Sequence, residues 1–281
     1  MTPALPLHPG RVLVVFLLFL HAIIVIYPLF WMFANSFKTT QQIFDASWAM
    51  PTVWVVENYV KAWQGGISAY FMNSVIVTGA TILLTLTLSS LAAFGMTRAE
   101  AGGAGRAAGF VLMACIGGML VAPQVALVPL YKMMQALHLQ DTRWALILMY
   151  SAYRLPITVL LVRAVFLTIP RDLDDSAHID GCSSLRTLWH VYLPMSRSIL
   201  LTASVLTAYH AWNEFLFAII FIDSDRLKTI PAGLMNFRDA LMTEWGVLVA
   251  GLVISAAPIV VLFIVAQKYF MSGFAAGAVK G

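Results

Sequence analysis

The chain of 281 residues is 60% hydrophobic and only 11% charged, with a mean hydropathy of +0.85. Soluble domains carry roughly a quarter charged residues, so a water-soluble globular protein is excluded and most of the surface belongs in lipid. The net charge of +4 comes from basic residues scattered among short loops, without the patch that nucleic acid requires.

A helix crosses a hydrocarbon core with about 20 residues. Six segments meet that need: 12–34, 68–97, 107–131, 144–162, 198–222 and 245–267. Arg154 interrupts the fourth and Glu214 the fifth; the other four hold no Asp, Glu, Lys or Arg. The first follows Arg11 and lacks a small-residue cleavage exit, so it reads as an uncleaved span. Residues 35–67 form the longest connection. Trp48, Trp54, Tyr59 and Trp63 suit a membrane interface there, and Glu57 and Lys61 stand four apart, as a helical ion pair would. Residues 98–106, RAEAGGAGR, read as a tight turn, because their glycines lack phosphate-loop spacing and follow no strand. Pro28, Pro123, Pro129, Pro156 and Pro258 fall within spans, where each removes a donor and tends to bend a helix. No internal repeat is visible, so nothing favours the duplicated halves of many secondary transporters.

An even number of spans puts both termini on one side. With the termini in the cytoplasm, nine basic loop residues fall inside and seven outside, the direction the positive-inside rule favours. Cys115 sits in an apolar span and Cys182 in a loop, so no disulfide is implied. The six histidines are dispersed, without metal-ligand spacing, and nothing places Ser, His and Asp as a triad.

Between the fourth and fifth spans lies 170–194, PRDLDDSAHIDGCSSLRTLWHVYLP. Pro170 suits a first helical turn, and Asp172, Asp174 and Asp175 lie where carboxylates favour the positive helix end. Leu173 and Ala177 share a face small enough for a partner's groove. Gly181 permits a sharp break. Leu185, Leu188 and Trp189 then give a second helix an apolar side, which Pro194 ends. The segment reads as a helix–turn–helix that exposes small and apolar residues.

Read as Asp175-Ser176-Ala177, then Asp180-Gly181, then Leu193-Pro194, this loop resembles the EAA loop of ATP-binding cassette (ABC) importer permeases. Asp175 replaces the family's Glu, Ser176 its first Ala and Val191 its Ile. The resemblance extends along the chain. Tyr27-Pro28-Leu29, Asn35-Ser36-Phe37-Lys38 and Glu57-Asn58-Tyr59 are similar to the first span and outer loop of carbohydrate permeases. Asn73-Ser74 and Ala92-Ala93-Phe94 are similar to the second span of such permeases, Trp212-Asn213-Glu214-Phe215 to the fifth, and Pro258, Gly273 and the tail 277–281 to the sixth span and tail. It is nearest to the second permease of maltose-type systems.

The resemblance implies an all-α membrane protein with six transmembrane helices, 1–281 forming one transmembrane domain and 166–197 a cytoplasmic coupling loop within it. Asp175, Ser176, Ala177, Asp180, Gly181, Leu193 and Pro194 would couple the chain to an ATPase, and Lys280 and Gly281 would reach the ATPase interface. The chain would be non-catalytic and hold no cofactor, with ATP and Mg bound by the partner ATPase. Expected partners are a second, different permease, two ATPase copies, an extracytoplasmic sugar-binding protein and membrane lipid. The expected site is the bacterial or archaeal cytoplasmic (inner) membrane, both termini cytoplasmic.

Arg154 and Glu214 are costly in lipid and should face a cavity, a partner or another polar group. His210 lies four residues before Glu214, a spacing at which the two can share a proton or hydrogen bond. Tyr209, Trp212 and Asn213 supply the aromatic and polar character of a sugar path. Glu214 equally fits an interface with the partner subunit, and Arg154 fits either a substrate contact or a side chain reaching toward the outer surface. A permease for glycerol-phosphate or polyol uptake, and a stand-alone secondary transporter, stay open as alternatives.

Overall fold

The computed structural model describes residues 9–240 and 244–278. Among them every regular element is helical. In chain order these are α1 (Pro9–Asn35), α2 (Thr40–Asp45), α3 (Glu57–Ala62), α4 (Ser68–Ala101), α5 (Gly105–Leu120), α6 (Leu127–Ala136) and α7 (Arg143–Phe166). They continue as α8 (Arg171–Ile179), α9 (Ser184–Thr187), α10 (Leu193–Met195), α11 (Arg197–Asn213), α12 (Leu216–Phe221), α13 (Ile230–Ala240) and α14 (Trp245–Ala278). They fall into two compact units, 1–67 with 236–256 and 68–235 with 257–281.

Four stretches among the described residues are long and apolar enough to cross a membrane: Gly10–Asn35, Glu57–Ala101, Arg143–Phe166 and Trp245–Val265. Two bent pairs raise the number to six if each counts as one span: Gly105–Leu120 with Pro123–Ala136, bent by 87°, and Ser184–Met195 with Arg197–Asn213, bent by 82°. Neither 107–131 nor 198–222 runs as one continuous helix. In the first, Val121 and Ala122 turn extended ahead of Pro123, because the proline ring disfavours helical backbone in the residue before it. In the second, Glu214 is itself extended and α12 starts afresh beyond it. Pro28, Pro156 and Pro258 lie inside unbroken helices.

In the first unit, α1 exposes nearly every large apolar side chain from Val12 to Phe33, as a helix does whose solvent is lipid. The connection after it is held by polar groups. Asn35 Nδ2 donates to Trp31 O at 2.7 Å and Ser47 O at 3.2 Å. The Lys38 ammonium, 1% exposed, donates to Ala46 O at 2.9 Å and Ser47 O at 3.2 Å; its burial lowers its pKa. Asn58 Nδ2 donates to Ser36 O and Lys38 O at 2.9 and 3.0 Å, and the Ser36 and Tyr59 hydroxyls meet at 2.6 Å. Gly246 packs so closely here that a Cβ would stand 2.2 Å from Lys38 O and 2.7 Å from Asn58 Nδ2. Trp48 stacks on Tyr27 at 5.9 Å, and Trp54 and Tyr59 flank Phe37. The expected Glu57–Lys61 pair does not form: Lys61 reaches Glu244 at 2.9 Å instead.

In the second unit, α4 turns its small side chains inward. Thr78, Thr81, Thr85 and Ser89 are buried, while Leu83 is 70% exposed. Helices in lipid gain nothing from hiding leucine, whereas small residues let backbones approach, and α4 packs on α7 and α11. A core of Leu146, Ile147, Tyr150, Phe217 and Phe221 lies beside this seam. Asn73 closes the 223–229 connection: its Nδ2 donates to Arg226 O at 2.8 Å and Lys228 O at 2.9 Å, and its Oδ1 accepts from Arg143 Nε at 2.9 Å. Ser74 Oγ accepts from Ile230 N at 2.9 Å. Asp141 joins two connections by accepting from Asp223 N, Ser224 N and the Ser224 hydroxyl. Desolvation alone would raise its carboxyl, but the hydrogen bonds from Ser224 and Asp223 and the charge of Arg226 hold it below the usual value.

Candidate functional site

The 171–195 segment folds as a helical hairpin. Pro170 precedes α8, whose first turn carries Asp172 and Asp174, matching carboxylate to the helix N-terminus. The C-terminus closes as a Schellman motif: Cys182 N donates to Ala177 O at 2.9 Å and Gly181 N to His178 O at 3.1 Å. Gly181 sits at φ +77°, a left-handed backbone that costs a residue with Cβ about 1–2 kcal/mol. Ser183 then caps α9 by accepting from Arg186 N, and a π turn, Leu188–Tyr192, leads into α10.

Two sides of this hairpin differ. Its inner side is anchored by Leu188 and Tyr192, buried against Ala93, Phe94, Val162 and Phe166, with Tyr192 edge-on to Phe94 at 4.9 Å and Phe166 at 5.1 Å. Arg98, at the end of α4, ties both arms: Nη2 donates to Asp174 Oδ1 at 2.8 Å and Nη1 to Ser184 Oγ at 2.5 Å. Its guanidinium also lies over the Phe94 ring at 4.9 Å. Arg163 pairs with Glu100 beside it. The other side exposes Ile179 (87%), Leu185 and Trp189 (69%).

Of the residues expected to couple, Asp175, Ser176, Asp180, Gly181 and Pro194 are exposed, and Leu193 is partly buried against the Phe94 cluster. Ala177 is 8% exposed and packs inward, so the shared outward face expected for Leu173 and Ala177 is not formed. Leu173 stays exposed, and Ile179, Leu185 and Trp189 are exposed with it. Lys280 and Gly281 lie outside the described residues.

A second polar group lies within the spans. Glu214 caps α12, accepting from Phe217 N at 3.0 and 3.1 Å and from Ala218 N at 3.3 Å, and receives the Tyr150 hydroxyl at 2.8 Å. The expected His210–Glu214 hydrogen bond is absent, because the carboxylate is used at the helix break. His210 instead lies on the Tyr153 ring, centroids 4.8 Å apart and planes tilted by 33°. Arg154 is partly buried on α7, within electrostatic reach of His210. Trp212 is buried edge-on to Phe71 at 5.6 Å. Tyr209 is exposed, as is Asn213, whose Nδ2 donates back to Tyr209 O. The structure thus lays His210 on Tyr153, the neighbour of Arg154 on α7, and spends Trp212 and Glu214 on the fold.

The tie of Arg98 to Asp174 and Ser184 joins side chains far apart in sequence and was not anticipated. An arginine closing an apolar span opposite an acid-rich loop was the available signal. Tyr150 was legible only as a donor that a buried carboxylate must find.

The family model described as "Binding-protein-dependent transport system inner membrane component" matches residues 3–274. The probable ABC transporter permease protein YurM of Bacillus subtilis is 55% identical over 264 residues, covering 94% of this chain and 87% of that one. The trehalose/maltose transport system permease protein MalG of Thermococcus litoralis is 35% identical over 276 residues, covering 96% and 97%. The crystal structure of a bacterial ABC transporter involved in the import of alginate superposes with a TM-score of 0.80 at 20% identity, over 96% of this chain and 100% of that one. That likeness is one of fold.

Proposed function

From membership in the family of binding-protein-dependent transport system inner membrane components, we propose that this chain is driven through alternating access by an ATPase seated on the 171–195 hairpin, and that its cargo is a carbohydrate. The chain is a permease subunit of an ABC importer and is not itself an enzyme; a separate ATPase hydrolyses ATP. Relatives named for trehalose/maltose, diacetylchitobiose and arabinooligosaccharides favour a carbohydrate, of di- or oligosaccharide size, over glycerol-phosphate or a polyol. The working assembly adds a second permease, two ATPase copies holding ATP and Mg, and an external sugar-binding protein. The hairpin and both termini face the cytoplasm, and 1–281 works as one transmembrane domain.

The observation that carries this reading is the hairpin's division of labour. One side is fastened to the spans by Arg98, Leu188 and Tyr192, and the other leaves Ile179, Leu185 and Trp189 uncovered. Apolar groups exposed on a rigid, charge-flanked element mark a protein contact. When ATP closes the ATPase pair, a displaced hairpin moves α4 through Arg98 and the Phe94 cluster, biasing the permease between inward-open and outward-open states. Hydrolysis and product release reset it.

The test is affinity purification of the tagged chain from its native membrane, followed by reconstitution. A second permease, a Walker-motif ATPase and a binding protein should co-purify. Gly181→Asp should keep that assembly while lowering sugar taken up per ATP hydrolysed. Recovery of the chain alone, or wild-type uptake by Gly181→Asp, would overturn the reading.

A further inference from the structure

At the midpoint of α7 stands a cation that pairs with no acid among the described residues. Arg154 is the twelfth of the 24 residues in Arg143–Phe166, and its Nε is buried without an acceptor. Arginine at the centre of a span costs about 2.5–3.5 kcal/mol even on permissive scales, so it is retained for a polar surface or a ligand. One turn earlier, Tyr150 holds Glu214, the acid at the break between α11 and α12. That carboxylate is already committed to Tyr150 and to the N-terminus of α12. None of the four ion pairs among the described residues includes Arg154.

His210 supplies a second independent observation. Its Nε2 is also buried without a partner, and its ring is laid against Tyr153, which is 43% exposed. A guanidinium, an imidazole nitrogen and an open aromatic ring therefore gather at mid-depth on α7 and α11. The planar guanidinium fork matches carboxylate and phosphate oxygens two at a time. The tyrosine face suits the C–H surface of a sugar ring, and His210 Nε2 is free for a hydroxyl or an acid oxygen.

We propose that Arg154, His210 and Tyr153 form a subsite for a saccharide bearing an acidic group, a carboxylate or a phosphate on the sugar. The proposal rests on the carbohydrate-importer reading and narrows its substrate class. A neutral sugar leaves the guanidinium unanswered, and sites built around a polar group discriminate strongly against ligands that lack it. The competing occupant is an acid from the second permease subunit.

The test uses the complete transporter, both permeases with the ATPase, in lipid nanodiscs. Binding of cellobiouronic acid, cellobiose 6′-phosphate and neutral cellobiose is measured by calorimetry on wild type, Arg154→Gln and Arg154→Lys. Wild type should bind at least one acidic sugar about tenfold or more tighter than cellobiose. Arg154→Gln should erase that preference with subunit co-purification kept, and Arg154→Lys should keep part of it. The two acidic probes tell carboxylate from phosphate. Equal binding of all three sugars, or a preference that survives Arg154→Gln, overturns the subsite alone. Loss of the second permease from Arg154→Gln assigns the arginine to a partner's acid and also overturns it. A wild type that binds none of the three, with the ATPase still attached, overturns the carbohydrate reading together with the subsite.

Discussion

The connection after α1 and the 171–195 hairpin both stand out in the sequence as polar, family-like stretches, yet they use their side chains in opposite ways. Asn35, Ser36, Lys38 and Asn58 are buried, and each spends a donor on the backbone of the connection itself or of the end of α1. The hairpin satisfies only one of its sides. Its exposed Asp175, Asp180, Ile179 and Trp189 are held on a turn whose backbone is fully specified. A motif that spends its donors on its own backbone is scaffold, whereas one that leaves apolar and charged groups uncovered is an invitation to another protein. The contrast separates two reasons for a motif that letters alone do not distinguish.

Substitutions on the scaffold side should change stability and leave transport per folded molecule intact. The largest effect is expected from Gly246→Ala, whose Cβ would meet Lys38 O at 2.2 Å. Overpacking against backbone costs about 1–3 kcal/mol or more, to be read as a lower thermal midpoint and lower yield of monodisperse protein. Asn73→Ala comes next. It removes three hydrogen bonds, each worth about 1 kcal/mol, and should free the 223–229 connection to proteolysis. Hydrogen exchange that leaves this connection as protected as in wild type would contradict the assignment.

On the hairpin side the pattern should invert. Ile179→Asp, at a position 87% exposed, should leave the thermal midpoint unchanged while weakening ATPase capture by roughly the 1.5–3 kcal/mol that burying such a side chain supplies. Arg98→Ala should lower sugar moved per ATP with the ATPase still attached, and the exchange Arg98→Asp with Asp174→Arg should recover part of the loss. The pair is only partly buried, so the coupling in a double-mutant cycle should be about 1 kcal/mol or less.

The smallest effect is a pH dependence. Asp141 has a carboxyl held below its ordinary 3.8. Its contribution is therefore fully present above that value and is lost as pH falls through the lower folded value. Asp141→Asn should flatten the acid limb of the stability curve, and an unchanged limb would count against the Asp141 tie.

Helical class and the hairpin were legible because periodic apolar runs, Pro170 and Asp180-Gly181 act through the local backbone. The breaks near Val121 and Glu214 were less so. Pro123 announced the first, but hydropathy ran straight across it. At 214 the signal was a single carboxylate, read as an embedded charge rather than as a helix cap. Arg98 joining Asp174 and Ser184, and Lys61 choosing Glu244 over Glu57, depend on side chains far apart in sequence. Local spacing carries no information on such pairs. Arg154 could be flagged from composition, whereas its lack of an acid among the described residues required knowing where Glu214 is spent.

Our proposal seats the ATPase on the uncovered side of the hairpin. It is tested most directly by placing a photo-reactive benzoylphenylalanine at position 179 and irradiating native membranes, with position 83 on α4, whose Leu83 is 70% exposed, as the control. The account predicts an adduct between this chain and the Walker-motif ATPase from position 179 and none from position 83. Adducts from position 179 with lipid or with the external binding protein, and none with the ATPase, would contradict it.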